Sequence, residues 1–472
     1  MRPVFDPYLL TRISAEVLAL NQARPEELLR CQQQRLAQLL AAARAGSAFY
    51  RERLSGLPDD ASALPRIAAT TRSELSARFS DWVCDPRLEW EELQAFTADA
   101  ARIGQPYLGQ YVVWESSGSS GVPGIFVQNA RAMAVYDALE ALRRSDDSAL
   151  RRWFDPWCLS ERLAFVGATS GHFASFVTLQ RLRELQPWLA GALESFSILQ
   201  PIEALVAQLN AFSPTVLVTY PTAALVLAEQ AAKGCLRVQP RELWSGGETL
   251  GLAVRRLIEQ HLRCRVRNNY GASEFLAMGW ECAAGQMHLN ADWVLLEPVD
   301  ERGRPVPAGQ PSHSVLLTNL ANWVQPLIRC DLGDQITLHE QPCACGSPLP
   351  VFEVQGRSDD ILRVRGHGGV AVALLPLALT TVLEDDAGVF DFQLRQQNQT
   401  TLVLRLPQTG AWAQHALERG RQVLQGFALR QGALPIDVLG ELGQAIPLGR
   451  SGKVTRIVAQ SSTVVVGANG LA

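Results

Sequence analysis

Apolar residues recur at three- and four-residue spacing over several stretches of the chain, and each such stretch predicts a helix. In the first, Pro25 to Ala43, residues Leu28, Leu29, Leu36, Leu39 and Leu40 carry the repeat and Gly46 closes it. Thr70-Thr71 followed by Glu74 has the form of a capping box opening another helix, and Ala130 to Ser145 continues the helical texture. From Leu163 the pattern changes to short apolar runs alternating with helical ones. Leu163–Val166 and Val216–Val218 read as strands, Pro201 to Ala211 and Thr222 to Lys233 as helices. That alternation predicts a parallel sheet covered by helices on both faces, and so an α/β fold class. Near the C-terminus Phe392–Leu394 and Leu402–Leu404 read as strands and Trp412 to Leu429 as a helix.

One stretch fits neither period. Ser116-Ser117-Gly118-Ser119-Ser120-Gly121, continued by Val122-Pro123-Gly124, buries almost nothing and carries high backbone entropy. A flexible hairpin tip uses the same composition. So does an anion cradle, in which glycines let successive N–H groups converge and serine hydroxyls add donors. Tyr111–Trp114 before it and Ile125–Val127 after it both read as strand, whereas Walker and Rossmann loops open a helix, and no Gly-Lys-Ser/Thr follows.

Composition narrows the class. At 472 residues the chain is too long for one ordinary core, so a large domain and a smaller one are expected. Hydrophobic residues at 47% and charged residues at 19% describe a globular chain. Lys and Arg number 43 against 47 Asp and Glu, a net charge of -4 without a basic block, which argues against a nucleic-acid partner. Met1 to Gln22 has no compact apolar region followed by a cleavage site, and the expected location is the cytoplasm. Val370 to Leu379 is the longest nearly apolar run. It contains Pro376, falls short of the roughly 20 residues a span requires, and reads as core rather than membrane.

Three further signals carry chemistry. Leu243-Trp244-Ser245-Gly246-Gly247-Glu248 ends a strand in a double glycine, where a flat ligand can approach backbone. A second strand leads into Tyr270-Gly271-Ala272-Ser273-Glu274, with a ring suited to a base or ribose and a carboxylate suited to Mg²⁺. Later come Pro326-Leu327-Ile328-Arg329-Cys330-Asp331-Leu332-Gly333-Asp334, then Gly356-Arg357-Ser358-Asp359-Asp360, and finally Gly449-Arg450-Ser451-Gly452-Lys453. With this whole series in order, the chain resembles the adenylate-forming acyl-CoA synthetase superfamily, and within it is most similar to the phenylacetate-CoA ligase group.

The resemblance covers essentially the entire chain and implies a large N-terminal α/β domain of layered sheets and helices, residues 1–357, which binds ATP and the acid. A small mobile α+β C-terminal domain, residues 358–472, would carry the catalytic lysine. The implied activity is ATP-dependent acid–thiol ligation through an acyl adenylate, with ATP, Mg²⁺ and CoA as cofactors. A phosphopantetheinyl carrier protein or an amine is the alternative acceptor, and a non-catalytic nucleotide-binding module is a third reading. By the same resemblance Ser116, Ser117, Gly118, Ser119, Ser120 and Gly121 hold the β and γ phosphates, and Glu274 holds Mg²⁺. Gly247, Glu248, Tyr270 and Gly271 frame the nucleotide, Asp334 takes the ribose hydroxyls, and Arg357 reaches the ribose or phosphates. Lys453 bridges the substrate carboxylate and the α-phosphate, and Asp359 is the hinge about which the small domain turns. Phe173, Tyr220, Gly246 and Ala272 fall where the family builds its acyl pocket, which implies a small, aromatic carboxylic acid. The family loop usually carries Lys after its last glycine, and here that position is Val122. A homodimer is left open.

The nine cysteines add an independent signal, since an odd number scattered over a long chain argues against a disulfide framework. Cys282, His288, Cys343 and Cys345 offer three thiolates and one imidazole, a closed tetrahedral set with no position left for catalysis. The resembling group has Cys and His at similar places, which implies a structural Zn²⁺. Reduced cysteines in a tight turn are the plain alternative.

Overall fold

The protein is described by a computed structural model over residues 3–116, 124–143, 160–355, 361–446 and 456–459. The chain divides into two compact units, the larger comprising residues up to 198 together with 202–357, the smaller built mainly from 358–450.

In the larger unit the leader forms helices Pro7–Leu20, Pro25–Gly46 and Ala48–Arg53. The second is longer than its apolar repeat because Gly46 still fits as its last residue, and it buries Leu28, Leu36, Leu39, Leu40 and Ala43. Leu29, read with the apolar face, is exposed. The helix Arg72–Ala77 has half of the anticipated capping box. Thr71 Oγ1 accepts from the N–H of Glu74 at 3.2 Å, but the Glu74 carboxylate pairs with Arg53 instead of returning to the cap.

A hairpin follows, strand β1 (Val112–Glu115) against strand β2 (Ile125–Gln128), antiparallel with Glu115 opposite Ile125. The strand readings on either side of the Ser/Gly stretch are therefore met, and the helix after β2 runs Ala130–Arg143. The main sheet has nine strands. β3 (Leu163–Gly167), β4 (Leu193–Ser197), β5 (Val216–Thr219), β6 (Glu242–Ser245) and β7 (Arg265–Ala272) are parallel, in the order β4-β3-β5-β6-β7. Helices Ala174–Leu185, Ile202–Phe212, Pro221–Ala232 and Leu252–Leu262 lie in the connections.

The expected all-parallel sheet covers only this half. Beyond β7 come β8 (Phe275–Glu281), β9 (Met287–Leu289), β14 (Val351–Gln355) and β13 (Gln335–His339), all antiparallel. The reason is local: only Ser273-Glu274 separate β7 from β8, far too few for a parallel crossover. A second sheet holds β10 (Val294–Val299), β11 (Ser314–Asn319) and β12 (Cys330–Asp331).

Two buried indoles lock the hairpin and the leader to this body. Trp114 Nε1 donates to the Ser273 carbonyl at 2.9 Å and Trp82 Nε1 to that of Pro326 at 2.6 Å, so each large ring is buried without stranding its polar atom. Arg329 is a third tie. Held at φ +51°, it donates to Glu297 (3.1 Å) and to the Ile67 carbonyl (2.5 Å).

The smaller unit has a hairpin of β15 (Leu362–Arg365) and β16 (Ala371–Leu374) and a helix Pro376–Thr381. Its sheet is ordered β19-β18-β17-β20, from β17 (Gln393–Gln396), β18 (Thr401–Leu406), β19 (Asp437–Leu442) and β20 (Ile457–Val458), with the helix Ala411–Arg430 packed on it. The apolar run from Val370 is thus not one core segment. Val370 is exposed, and Pro376 starts a helix after the edge strand β16. Arg456 bolts β20 in place: its guanidinium meets Glu384 at 2.7 Å, both side chains buried, and lies over the Phe392 ring. Among the described residues no helix is long and apolar enough to cross a membrane.

Candidate functional site

The carboxyl ends of parallel strands leave a crevice where connections turn away, and there the chain places its double glycine. β6 ends at Ser245. Gly247 then adopts φ +79°, and a Cβ on it would stand 3.0 Å from the Tyr220 ring, while one on Gly246 would stand 3.1 Å from the Asn269 carbonyl. The turn therefore lies flat between Tyr220, which leads the helix Pro221–Ala232, and the backbone of β7. Glu248 is committed locally: its two oxygens accept from the N–H and the hydroxyl of Thr222, each at 3.0 Å, at the start of that helix. Burial first, then the Glu248 charge, raises the pKa of the Tyr220 phenol and keeps it protonated.

β7 brings Tyr270 beside Asp334. The Tyr270 hydroxyl donates to Asp334 Oδ2 at 2.9 Å, and burial, then the Asp334 charge, hold the phenol well above its usual range, so the donor is never lost at neutral pH. The nearby Asp331 is engaged elsewhere, accepting from the Ser314 hydroxyl and from Gly333 N at 2.8 Å. Gly271 is required by the backbone. A Cβ there would sit 1.9 Å from the Leu276 carbonyl oxygen, where the hairpin β7–β8 shifts register between Tyr270 and Ala272. Ala272 ends β7 opposite Phe275.

The same hairpin turn delivers Glu274, whose side chain is 4% exposed, 3.2 Å from Nε of Arg72. Arg72 Cδ in turn would touch a Cβ on Gly124 at 3.3 Å. Ser116 closes the arrangement, its hydroxyl accepting from Gly124 N at 2.9 Å and its own N–H donating to the Gly124 carbonyl at 2.9 Å. The two ends of the Ser/Gly stretch are thus pinned together beside a buried carboxylate and a guanidinium. Phe173 lies next to this base, bridging Glu115 at the end of β1, while Glu115 accepts from His172 N at 3.1 Å. Ser117, Gly118, Ser119, Ser120, Gly121 and Val122, with Arg357, Asp359 and Lys453, lie outside the described residues.

Sequence reasoning missed Arg72, Ser245 and Asn268. Ser245 Oγ and Asn268 Oδ1 are buried without a hydrogen-bond partner, and the two residues are register partners across β6 and β7. Asn268 shares a sheet face with Tyr270, two residues on. Two asparagines in a row inside a strand, directly before the tyrosine, were the available signal. Arg72 gave none.

The four candidate metal ligands come together. Cys282 Sγ, His288 Nε2, Cys343 Sγ and Cys345 Sγ lie within 4.8 Å of one another. The Cys282–Cys343 sulfurs are 3.7 Å apart and Cys345 Sγ is 3.3 Å from His288 Nε2. A tetrahedral centre with metal–sulfur bonds of about 2.3 Å has S···S edges of about 3.8 Å, whereas a disulfide brings sulfurs to about 2.05 Å. The spacing therefore fits a metal and not a bridge. His288 Nδ1 is 2.9 Å from the Leu349 carbonyl, to which only a protonated nitrogen can bond, so Nε2 carries the lone pair that faces the thiols. β8, β9 and β14 supply the frame: His288 pairs with Trp280 and with Val351, and stacks on the Trp280 ring.

Comparison with known proteins bears on the fold. No protein-family model matches the chain. Protein CapK of Staphylococcus aureus is 25% identical over 205 residues, a match that covers 43% of this chain and 43% of that protein. Among solved structures, a 2-hydroxyisobutyryl-CoA ligase in complex with 2-HIB-AMP and CoA in the thioesterification state aligns with a TM-score of 0.53 at 20% identity, over 93% of this chain and 91% of that one. The same ligase in the postadenylation state with R3-HIB-AMP gives 0.51 at 19% identity, over 94% and 92%.

Proposed function

The chain has the fold of the adenylate-forming CoA ligases, and from that premise we propose that it activates a small carboxylic acid with ATP as an acyl adenylate and passes the acyl group to CoA. The observation that carries the reading is the Tyr270–Asp334 contact beside the Gly246-Gly247 turn. It offers, in one place, a ring for a base, a flat backbone approach and a carboxylate that accepts from a vicinal diol. Asn268 Oδ1, on the Tyr270 face and without a partner, is the acceptor an adenine amino group requires.

Adenylation displaces pyrophosphate from the α-phosphorus by a carboxylate oxygen, so two anions must be brought together and the departing charge neutralised. Lys453 serves the attacking side, bridging carboxylate and α-phosphate. For the departing side, where Val122 replaces the usual loop lysine, we assign Arg72, whose stem lies against Gly124 at the foot of the Ser/Gly loop. Glu274, buried beside Arg72, is the residue to hold Mg²⁺, which commonly takes one or two protein carboxylates and otherwise the phosphates. That ion, when bound, would supply charge for the phosphates. In the second half-reaction the CoA sulfur attacks the adenylate carbonyl and AMP leaves. Asp359 is the hinge that withdraws Lys453 and brings the segment near Arg365-Gly366 forward. Cys282, His288, Cys343 and Cys345 would hold Zn²⁺ with every position filled, a structural role. Phe173 and Tyr220 favour an aromatic acid.

The test is acid-dependent pyrophosphate release from ATP and Mg²⁺, over a panel of aryl acids and short 2-hydroxy acids, each with and without CoA. Lys453→Ala should lower release by orders of magnitude with nucleotide binding retained, and Asp334→Ala should weaken ATP binding at least about ten-fold. Unchanged release from Lys453→Ala, or no release with any acid, would overturn the reading.

A further inference from the structure

A cluster of cations and indoles lies apart from the residues discussed so far. Arg35 stacks on Trp293, its Cζ 3.4 Å from the ring centre, and Arg131 stacks on Trp323 at 4.0 Å and lies 5.6 Å from Trp293. The acids within reach are already engaged. Asp292, fully buried, takes a two-pronged contact from Arg143 at 2.6 and 3.0 Å, and Glu16 meets Arg35 at 2.8 Å and Arg12 at 3.7 Å. Among the described residues the Arg131 side chain has no hydrogen-bond or ion-pair partner; the residue is partly buried and its Nε fully so. Arg12, Arg35 and Arg143 thus share two carboxylates, Glu16 and Asp292, and Arg131 adds a fourth guanidinium with none.

The unpaired polar atoms of this stack are all of one kind. Besides Arg131 Nε they are Trp293 Nε1 and Trp323 Nε1, both buried, and Trp293 is 1% exposed as a whole residue. Indole and guanidinium nitrogens donate and cannot accept. Three orphan donors with no orphan acceptor among them, in a neighbourhood of excess positive charge, ask for a ligand that is both acceptor and anion. A neutral carbonyl or hydroxyl oxygen would answer the hydrogen bonds and leave the charge. Burial, then Arg35 and Arg12, lowers the Arg131 pKa to about 10, which still leaves it charged at neutral pH. Burying a charged group without a partner is unfavourable.

We infer that the Arg35–Trp293–Arg131–Trp323 stack is a binding site for a small oxyanion, a phosphate or carboxylate group. It is separate from the phosphate loop. Ser116 and Gly124 stand at one end of the hairpin, Arg131 enters the helix that begins beyond the other end of β2, and four residues of strand span about 13 Å. It also borders the hairpin's support: Asn322, next to Trp323, donates to the Val127 carbonyl at 2.8 Å, and Gln325 donates to that of Ile125 at 2.9 Å. An anion held here would therefore brace the strand that leaves the Ser/Gly stretch.

The experiment is a titration of the full-length protein with sodium phosphate, and separately with sodium acetate, at constant ionic strength, followed by thermal unfolding and by calorimetry. Saturable stabilisation with a half-effect near about 1 mM is expected from one or both anions, and which one acts identifies the oxyanion. Arg131→Gln should weaken it at least ten-fold and Trp323→Phe, which keeps the ring and loses the N–H, several-fold. In anion-free buffer Arg131→Gln should be no less stable than the parent, since it removes an unpaired cation. An equal response in Arg131→Gln, or none to either anion, would overturn the assignment. So would a large loss of stability from Arg131→Gln without anion.

Discussion

Replacing Gly271 by alanine isolates what a single methyl group does to the site. The new Cβ would stand 1.9 Å from the Leu276 carbonyl oxygen and 2.8 Å from its carbon, both backbone atoms, so no side chain can swing away to make room. Ordinary C···O contact is about 3.3 Å or more, and the two strands must part by over about 1 Å. The parting falls where Tyr270 pairs with Gly279 and Ala272 with Phe275. The cost should be roughly 2–4 kcal/mol, in the upper part of the overpacking range. Tyr270 precedes the methyl and Glu274 follows three residues later, so both of these proposed site groups move. A misplacement of about 1 Å lowers a positioned reaction roughly 100-fold. Denaturant unfolding measures the first quantity. Acid-dependent pyrophosphate release, assayed where the variant remains folded, measures the second. Gly247→Ala is the internal comparison: its Cβ would meet the edge of the Tyr220 ring at 3.0 Å, and φ is +79°, so about 1–2 kcal/mol is expected. If Gly271→Ala keeps parental stability and rate, the hairpin is not held by this contact and the placement of Tyr270 and Glu274 needs another cause.

Two other outcomes test different parts of the molecule. Protein purified without chelator should carry about one zinc, and Cys343→Ser should lose both the metal and thermal stability; metal-free protein of full stability would leave the four donors without a metal role. Arg456→Met should destabilise the smaller unit by about 3–5 kcal/mol because the buried Glu384 carboxylate loses the Arg456 guanidinium, while the double change with Glu384→Met should recover much of the loss, and equal losses in both would deny the pair its role.

What could be read from the sequence follows from how far each cause reaches along the chain. Helices and strands of the α/β half were legible because a local period and a local burial requirement coincide, as in Val216–Thr219 and Pro221–Ala232. The glycines of the site were legible too, since Gly247 and Gly271 have backbone reasons a few residues wide. The antiparallel half was not read. Its β9 has three residues, too few for a period to register, and its turn rests on Gly285 at φ +75° in an otherwise ordinary Cys-Ala-Ala-Gly sequence. Asp334 is picked out over Asp331 by its register to Pro326 and Arg329, while the Ser314 hydroxyl that Asp331 holds, on a different strand, is seen only in the fold.

Arg72 marks where local reading stops. Nothing around it distinguishes it from other arginines near a helix start, and its significance comes from two distant partners, Glu274 and Gly124. The sequence shows a missing cation, Val122, but cannot say where a substitute would be supplied. The leader carries the proposed substitute: Thr70 bridges Cys330 of β12, Thr71 caps the next helix, and Arg72 follows. The leader is itself fastened by Arg329, whose guanidinium holds the Ile67 carbonyl and whose strained φ places its N–H on Thr318. Arg329 lies in the same Pro-Leu-Ile-Arg-Cys-Asp-Leu-Gly-Asp stretch that carries Asp334. One short segment therefore fixes the Asp334 carboxylate directly and, through the leader, the Arg72 guanidinium at the foot of the Ser/Gly stretch. That coupling gives the arginine of the motif a reason to be there although it touches no proposed ligand.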